Sequence, residues 1–123
     1  MVTPIAHELD LESEIYGSQL LTGTPISPGI VAGHARVLTT PDAGYVEPGA
    51  VLVIGALTAE WLGLLNSAGA VVAETASLLS EPATVARELG VPVVAGVALA
   101  AEMIRDGQMV VVDGGHGTVL VEP

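Results

Sequence analysis

The sequence contains no cysteine, no phenylalanine and no lysine among its 123 residues. The absence of cysteine excludes disulfides, thiolate metal sites and a cysteine nucleophile, and it leaves the compartment undetermined by cysteine usage. The aromatic residues are one tryptophan and two tyrosines, so we expect a core of small aliphatic layers. Half of the residues are apolar, which is enough to bury the core of a single domain.

Positive charge is also scarce, because 14 acids face three arginines and the formal net charge is −11. Nucleic-acid binding needs a basic surface and usually stacking aromatics, so we set that function aside. The same charge argues against binding to anionic membranes. The N-terminus has neither a basic start nor an uninterrupted apolar run, so we expect no signal peptide and no membrane span. Cytoplasmic localisation is the expectation.

Residues 1–21 are interpreted as an acidic N-terminal arm, and residues 22–123 as one α/β domain. Four acids occur in the arm at alternating positions: Glu8, Asp10, Glu12 and Glu14. Its apolar residues follow little regular period: Ile5, Leu9, Leu11, Ile15 and Tyr16. Such a charge run is commonly solvated, but the apolar residues leave packing on the domain or on a partner open.

Buried-strand patterns alternate with helical patterns along the rest of the chain. After a loop and turn rich in proline and glycine, the predicted strands comprise residues 32–38, 50–56, 68–75 and 91–97, followed by a closing hairpin over residues 108–122. This alternation predicts an α/β domain with a mixed sheet and flanking helices. Ligands of such folds bind at the carboxyl ends of strands beside helix N-termini, so we expect a site in the loop from Glu74 to Glu81.

Three helices are predicted between these strands. The first follows Thr58, a candidate cap, and places Trp61, Leu64 and Leu65 on one face. The second begins after Ser80 as N-cap and ends at Gly90, a suitable C′ residue, and the third occupies residues 98–107.

Four segments, in this order and spacing, carry a resemblance to a known family: residues 27–38, 49–65, 68–97 and 106–121. With them, residues 22–123 resemble the mobile phosphohistidine domain of the phosphoenolpyruvate-utilising enzymes. This is the swivelling β/β/α domain of pyruvate phosphate dikinase and phosphoenolpyruvate synthase. The resemblance implies a domain that swings to carry a phosphoryl group between a nucleotide site and a phosphoenolpyruvate or pyruvate site.

The family's central motif reads Thr-Gly-Gly-x-x-Ser-His-x-Ala, followed by Ala-Arg-Glu and Gly-Ile/Val-Pro elements, seen here at residues 86–88 and 90–92. Three positions of the motif fit: Thr75, Ser80 and Ala83. At the position of the phosphoacceptor histidine this sequence has Glu81, and at the two glycines it has Ala76 and Ser77. A carboxylate is weakly nucleophilic toward an anionic phosphoryl donor, and the added side chains crowd a loop that glycines let approach a phosphate.

The candidate site residues are Glu81 at the catalytic position and Thr75, Ser77, Ser80 and Arg87 as ligand-binding residues. Each has a structural alternative: Glu81 suits the first turn of a helix, Ser80 is explained by capping, and Arg87 can form a surface ion pair with Glu88 or Glu81. Trp61 is more readily explained by packing than by ligand binding. The three histidines have no metal-ligand spacing, and the glycine-rich turn around His116 leads into a strand, as a hairpin does. No metal and no cofactor are expected.

Three functions remain open at this stage. The first, slightly favoured, is a standalone binding or regulatory module that has lost phosphoryl transfer and docks onto a protein partner. The second is a repurposed enzyme of isomerase or cyclase type, which acts on a small apolar ligand in specialised biosynthesis through the cleft at Glu81. The third is a phosphocarrier that uses Glu81, or a chain in which the histidine was replaced deliberately. The given residues do not include the family's nucleotide-binding and phosphoenolpyruvate-binding domains, so we expect a relay to need both from other proteins. A homodimer is also left open.

Overall fold

The computed structural model describes residues 18–42 and 45–123. The prediction of an acidic arm therefore lies outside the described residues up to residue 17. Within them the strands are β1 (Gln19–Thr22), β2 (Thr24–Ser27), β3 (Ile30–Val37), β4 (Val51–Ala56), β5 (Ala70–Thr75), β6 (Val93–Ala95), β7 (Met109–Asp113) and β8 (Thr118–Val121). The helices are a 3₁₀ helix η1 (Ala59–Leu64) and the α-helices α1 (Glu81–Leu89) and α2 (Ala100–Met103).

The strands form one mixed sheet in the order β1-β8-β7-β3-β4-β5-β6-β2. Strands β3, β4, β5 and β6 are parallel to one another, while β1, β8 and β7 continue the sheet antiparallel beyond β3. Strand β2 pairs antiparallel with β6 at the other end. A mixed sheet with helices packed against it confirms the α/β class predicted from the alternation of patterns.

One extended segment joins the two ends of this sheet. Only Gly23 separates β1 from β2, yet these strands lie at opposite edges. The sheet must therefore curl until its two edges meet at Gly23, and we call this meeting point the seam. There the backbone N–H of Gly23 donates to the carbonyl oxygen of Gly117 at 2.8 Å. A Cβ on Gly23 would collide with the carbonyl oxygen of Ala95, so this crossing requires glycine.

The structure corrects the prediction for residues 22–29. Their proline and glycine content indicated a loop and a turn, but most of them form strand. Strand β1 begins at Gln19, inside the predicted arm, and β2 contains Pro25. An edge strand tolerates proline because it need not donate every backbone hydrogen bond to a neighbour. The local sequence pattern does not predict this pairing, because the partner strands lie far along the chain.

The core has two aliphatic layers, one on each face of the central strands. Along β4, Val51 and Val53 point into the interior of the curled sheet, while Leu52 and Ile54 pack toward η1 and α1. All four side chains are fully buried. This burial on both faces explains why β4 reads as a continuous apolar run, as parallel strands covered by helices do.

Two predicted helices are shorter or tighter than expected. The segment after Thr58 forms the 3₁₀ helix η1, and the Thr58 hydroxyl donates to the Glu60 carboxylate at 3.3 Å instead of capping the backbone. Helix α2 covers only four residues of the predicted 98–107, because Leu99 adopts a left-handed conformation with φ of 58° before it and Ile104 is extended after it.

The predicted closing hairpin is confirmed by β7 and β8, which pair antiparallel across the turn 114–117. Asp113 organises that turn, because its Oδ1 accepts hydrogen bonds from the backbone N–H groups of Gly115 and His116, both at 3.1 Å. Its Oδ2 lies 2.9 Å from Nδ1 of His116.

The hairpin is expected to make stability depend on pH at the acid end. The hydrogen bond from the His116 side chain holds the pKa of Asp113 below its ordinary value of 3.8. A depressed folded-state pKa contributes stability above the unfolded value, and this contribution is lost as pH falls through the folded value. We therefore expect Asp113→Asn to lower the thermal midpoint at neutral pH, with the difference from wild type shrinking below pH 4. The expectation would be contradicted if the difference in thermal midpoint between wild type and Asp113→Asn were the same at neutral pH and below pH 4.

Candidate functional site

The carboxyl ends of β4 and β5 meet the N-terminus of α1 at one edge of the sheet. The register pairs Ala56 with Thr75, and the backbone N–H of Leu57 donates to the carbonyl oxygen of Thr75 at 3.0 Å. The chain leaves both strands at this level and enters two loops. The carboxyl ends of parallel strands beside a helix N-terminus are a usual place for ligand sites in α/β folds.

An open cleft of about 370 Å³ lies between these two loops. Its lining residues are Ala56, Leu57, Thr58, Ala59, Thr75, Ala76, Ser77, Ser80 and Pro82. Small apolar groups thus form most of the walls, and four hydroxyl side chains supply the polar ones. Among the residues that the structure describes, no charged side chain lines the cleft, so its lining suits a small, largely apolar ligand with groups that hydrogen-bond to hydroxyls.

The structure brings together three of the five candidate site residues. Thr75, Ser77 and Ser80 all line the cleft. Glu81 is the exposed first residue of α1 and does not line it, although its neighbours Ser80 and Pro82 do. The roles assigned to these residues stay predictions.

Ser80 caps helix α1 as predicted. Its Oγ accepts from the backbone N–H of Ala83 at 3.3 Å and donates to the carbonyl oxygen of Ser77 at 2.8 Å. One side chain therefore closes the loop before the helix and satisfies a free N–H of its first turn. At the other end, Gly90 with φ of 74° ends α1 as the predicted C′ residue.

Replacing Ser80 with alanine is expected to lower the free energy of unfolding by about 1 kcal/mol, because the cap bond to Ala83 is lost. Ser77→Ala is the matched control. Ser80 bonds to the backbone carbonyl of Ser77, which this substitution keeps, and the Ser77 side chain lines the cleft. Urea denaturation of both variants measures the difference. An equal loss in the two variants would show that the cap bond is not the cause.

The first turn of α1 offers few backbone donors to an anion. The N–H of Ser80 is bonded to the Ser77 carbonyl at 3.1 Å, the N–H of Ala83 is taken by the cap, and Pro82 has none. Within the described residues, the N–H of Glu81 is the first-turn donor that remains without a protein acceptor. A helix N-terminus that binds phosphate normally presents several such groups.

Arg87 fixes the loop before α1 to the rest of the domain. Its guanidinium donates to the carbonyl oxygens of Leu78 and Ile26, both at 3.0 Å, and more weakly to Thr84 Oγ1 at 3.4 Å. Among the described residues it forms no ion pair with Glu81 or Glu88, contrary to one sequence-based alternative. The carbonyl partners explain why a forked, permanently charged side chain occupies this position.

Trp61 belongs to the core under the site, with 2% of its surface exposed. It packs in the layer with Leu57 and Ala83, two residues that lie next to or within the loops of the cleft. The interpretation of Trp61 as a packing residue agrees with this placement.

Sequence reasoning missed the second wall of the cleft, which the loop after β4 supplies through Leu57, Thr58 and Ala59. The signal was available, because two consecutive buried strands joined by a helical connection are expected to lie parallel and adjacent. From the sequence alone, Thr58 is predicted only to cap a helix.

Two leucines of the loop before α1 project into solvent beside the cleft. Leu78 is 52% exposed and Leu79 is 88% exposed. Adjacent exposed leucines on one loop favour contact with an apolar surface of another molecule. In the described residues no group of three or more histidine or acidic residues is placed to hold a metal ion. No described helix is long and apolar enough to cross a membrane.

The chain is similar in sequence to known proteins. A family model described as the mobile domain of PEP-utilising enzymes matches residues 46–117. The chain is 37% identical over 105 residues to the phosphoenolpyruvate synthase of Aeropyrum pernix, covering 84% of this chain and 13% of that protein. It is 35% identical over 105 residues to the prodigiosin synthesizing transferase of Serratia marcescens, covering 84% and 12%. The chain thus spans about an eighth of each of these relatives.

Among solved structures, aconitase X of Thermococcus kodakaraensis has a similar fold, with a TM-score of 0.67. The sequences are 19% identical, and the match covers 85% of this chain and 99% of the other. At that identity the likeness concerns the fold alone.

Proposed function

Because this chain belongs to the family of PEP-utilising enzyme mobile domains, we propose that it is a member that has lost phosphoryl transfer and acts as a binding or regulatory module. The observation that carries the proposal is Glu81 in the first turn of α1, at the position where the family resemblance expects the phosphoacceptor histidine. An ionised carboxylate has no neutral nitrogen lone pair with which to attack a phosphoryl donor.

The surroundings of Glu81 support the same conclusion. In the described part of the chain, the cleft next to it has no cationic lining residue to offset the charge of a phosphate. The serine cap and the proline also leave only the N–H of Glu81 without an acceptor among the described residues of the first turn. A dianionic phosphoryl group at this position would therefore meet a carboxylate with little compensating charge.

Exposed Leu78 and Leu79 support a binding role. They occupy the loop that Arg87 holds in place, so their position is fixed before a partner arrives. A preordered apolar contact costs less entropy on association than a loop that must be ordered by binding. We propose this loop as the contact with a protein partner.

The phosphorylation test uses phosphoenolpyruvate or ATP with magnesium in the presence of the Aeropyrum pernix phosphoenolpyruvate synthase, with intact mass measured at neutral pH. Wild type is expected to gain no phosphoryl group, and Glu81→His tests whether restoring the imidazole is sufficient. Phosphorylation of wild type that disappears in Glu81→Ala would refute the proposal and identify Glu81 as an acyl-phosphate carrier.

The second candidate function is a repurposed small-molecule enzyme of isomerase or cyclase type. The apolar cleft with four hydroxyl side chains favours it, and one relative is named as a transferase in prodigiosin synthesis. In this case Glu81 at the rim would exchange a proton with a ligand held against Thr75 and Ser77.

A ligand screen by thermal shift and native mass spectrometry separates the two candidates. The matched variants are Glu81→Ala and Glu88→Ala, because both replace an exposed carboxylate on α1. A small molecule that stabilises wild type and Glu88→Ala but not Glu81→Ala supports the enzyme. If no small molecule binds, and Leu78→Ser with Leu79→Ser weakens a purified partner's affinity, the binding module is supported.

A further inference from the structure

A histidine and an aspartate lie in contact away from the cleft, on the turn between β7 and β8. His116 Nδ1 is 2.9 Å from Asp113 Oδ2, and the His116 side chain is 81% exposed. An ionised carboxylate can only accept a hydrogen bond, so Nδ1 carries the proton, and the neutral form of the imidazole then has its lone pair on Nε2. The low pKa of Asp113 keeps the carboxylate ionised at neutral pH.

The turn that holds this pair has little room to deform. Gly114 lies so close to the carbonyl oxygen of Ser27 that a Cβ would collide with it. Gly117 adopts φ of 72°, and its N–H donates to the carbonyl oxygen of Asp113 at 2.9 Å. Asp113 also binds two backbone N–H groups of the turn. The imidazole is therefore anchored at one nitrogen to a rigid hairpin, while its other nitrogen faces solvent.

A row of apolar residues, with Leu20 and Leu120 exposed, runs across the outer face of the neighbouring strands. Register and alternation place Leu20 of β1, Leu120 of β8 and Val111 of β7 in one row on the face opposite the buried valines. Ile30 of β3 pairs with Asp113, is 68% exposed and lies at the end of this face nearest the turn. An apolar group can rest on Ile30 within the neighbourhood of the imidazole.

We propose that His116 is a nucleophilic site for small, neutral, apolar acyl donors, with Asp113 as its positioning residue and Ile30 as the contact for the acyl chain. The net charge of −11 disfavours anionic electrophiles such as phosphoryl donors, whereas a neutral ester is not repelled.

The step balances without a redox partner. The Nε2 lone pair attacks the carbonyl carbon of an activated ester, an N–C bond forms, and the C–O bond to the leaving group breaks with its electron pair. The proton stays on Nδ1, where the Asp113 carboxylate stabilises the acyl-imidazolium. Water then adds to the acyl carbon, the N–C bond breaks with its electron pair returning to Nε2, and the carboxylic acid leaves. The remaining proton of that water passes through solvent to the departed leaving-group oxyanion, which restores the neutral imidazole with its proton on Nδ1.

The test follows hydrolysis of p-nitrophenyl butyrate at neutral pH. His116→Gln is expected to lower kcat/KM at least about tenfold. His34→Gln is the matched control, because His34 is also exposed but places its Nδ1 against the backbone carbonyl of Gly107 at 3.1 Å. Asp113→Asn should lower kcat and leave KM within about twofold, whereas Ile30→Ser should raise KM, as expected for a positioning and a binding residue.

A measurement on wild type keeps the inference testable if a variant fails to fold, which circular dichroism would show. Diethyl pyrocarbonate, a neutral acyl donor, should modify His116 several-fold faster than His34 when the modified peptides are quantified by mass spectrometry. Equal rates at the two histidines, or the same esterase activity in wild type and folded His116→Gln, would overturn the proposal.

Discussion

Replacing Trp61 with alanine is expected to lower the free energy of unfolding by about 3–5 kcal/mol. Trp61 is 2% exposed and fills the layer between the sheet and the two helices that border the cleft. The remaining core is built from valine, alanine, leucine and isoleucine, so no side chain near it can fill the space of an indole. Chemical denaturation followed by circular dichroism measures the loss, because the variant has no other tryptophan for fluorescence.

Leu79→Ala is the control for this experiment. Leu79 lies on the adjacent loop but is 88% exposed, so its truncation should change the free energy of unfolding by less than about 0.5 kcal/mol. A loss below about 1 kcal/mol in Trp61→Ala would mean that the layer under the cleft collapses to fill the cavity. The cleft would then lack the rigid floor that the small-molecule enzyme requires.

The elements that the sequence predicted well are those whose signals are local. Strand β4 is a run of apolar residues buried on both faces, and its bounds differ from the prediction by one residue. Helix α1 begins after a serine cap with Pro82 in its first turn and ends at a glycine with positive φ. These signals depend on the residues of the segment itself, so no knowledge of distant contacts was needed.

The elements that the sequence did not predict depend on distant partners. Strands β1 and β2 are stabilised by β8 and β6, which lie some 70 to 100 residues further along the chain. Their own residues, with Pro25 and Gly23, indicate a loop when considered alone. Leu99 is similar, because nothing in its local sequence predicts the left-handed conformation that shortens α2.

In the candidate site, too, the features with local sequence signals were predicted and those that depend on distant contacts were not. Thr75, Ser77 and Ser80 were predicted from the end of a strand and the start of a helix, and they line the cleft together. Arg87 was expected to face a ligand or an acid, but its partners are the carbonyl oxygens of Ile26 and Leu78. Backbone acceptors carry no sequence signature, so this clamp could be found only from the fold.

Replacing Gly114 with alanine is expected to destabilise the domain by about 3 kcal/mol, because a Cβ at this position would overlap the carbonyl oxygen of Ser27 and also approach the backbone of Val93 at 3.1 Å. Both contacts are backbone atoms that cannot rotate away. Ser27 lies on β2, where the sheet closes, and Gly114 also donates its N–H to the carbonyl oxygen of Gly29 at 2.7 Å. The substitution therefore forces the hairpin and the closing segment apart.

The neighbouring glycine provides the control for that substitution. A Cβ on Gly115 would meet only Asp113 Oδ1 at 3.6 Å, an ordinary van der Waals contact, and Gly115 does not have a positive φ. Gly115→Ala should therefore stay within about 0.5 kcal/mol of wild type. Hydrogen exchange adds a local readout, because in Gly114→Ala the amides of β2 should lose protection before those of β4 and β5. If both alanine variants were as stable as wild type, the closed sheet with its seam at Gly23 would be wrong, since an open sheet leaves Gly114 free of Ser27.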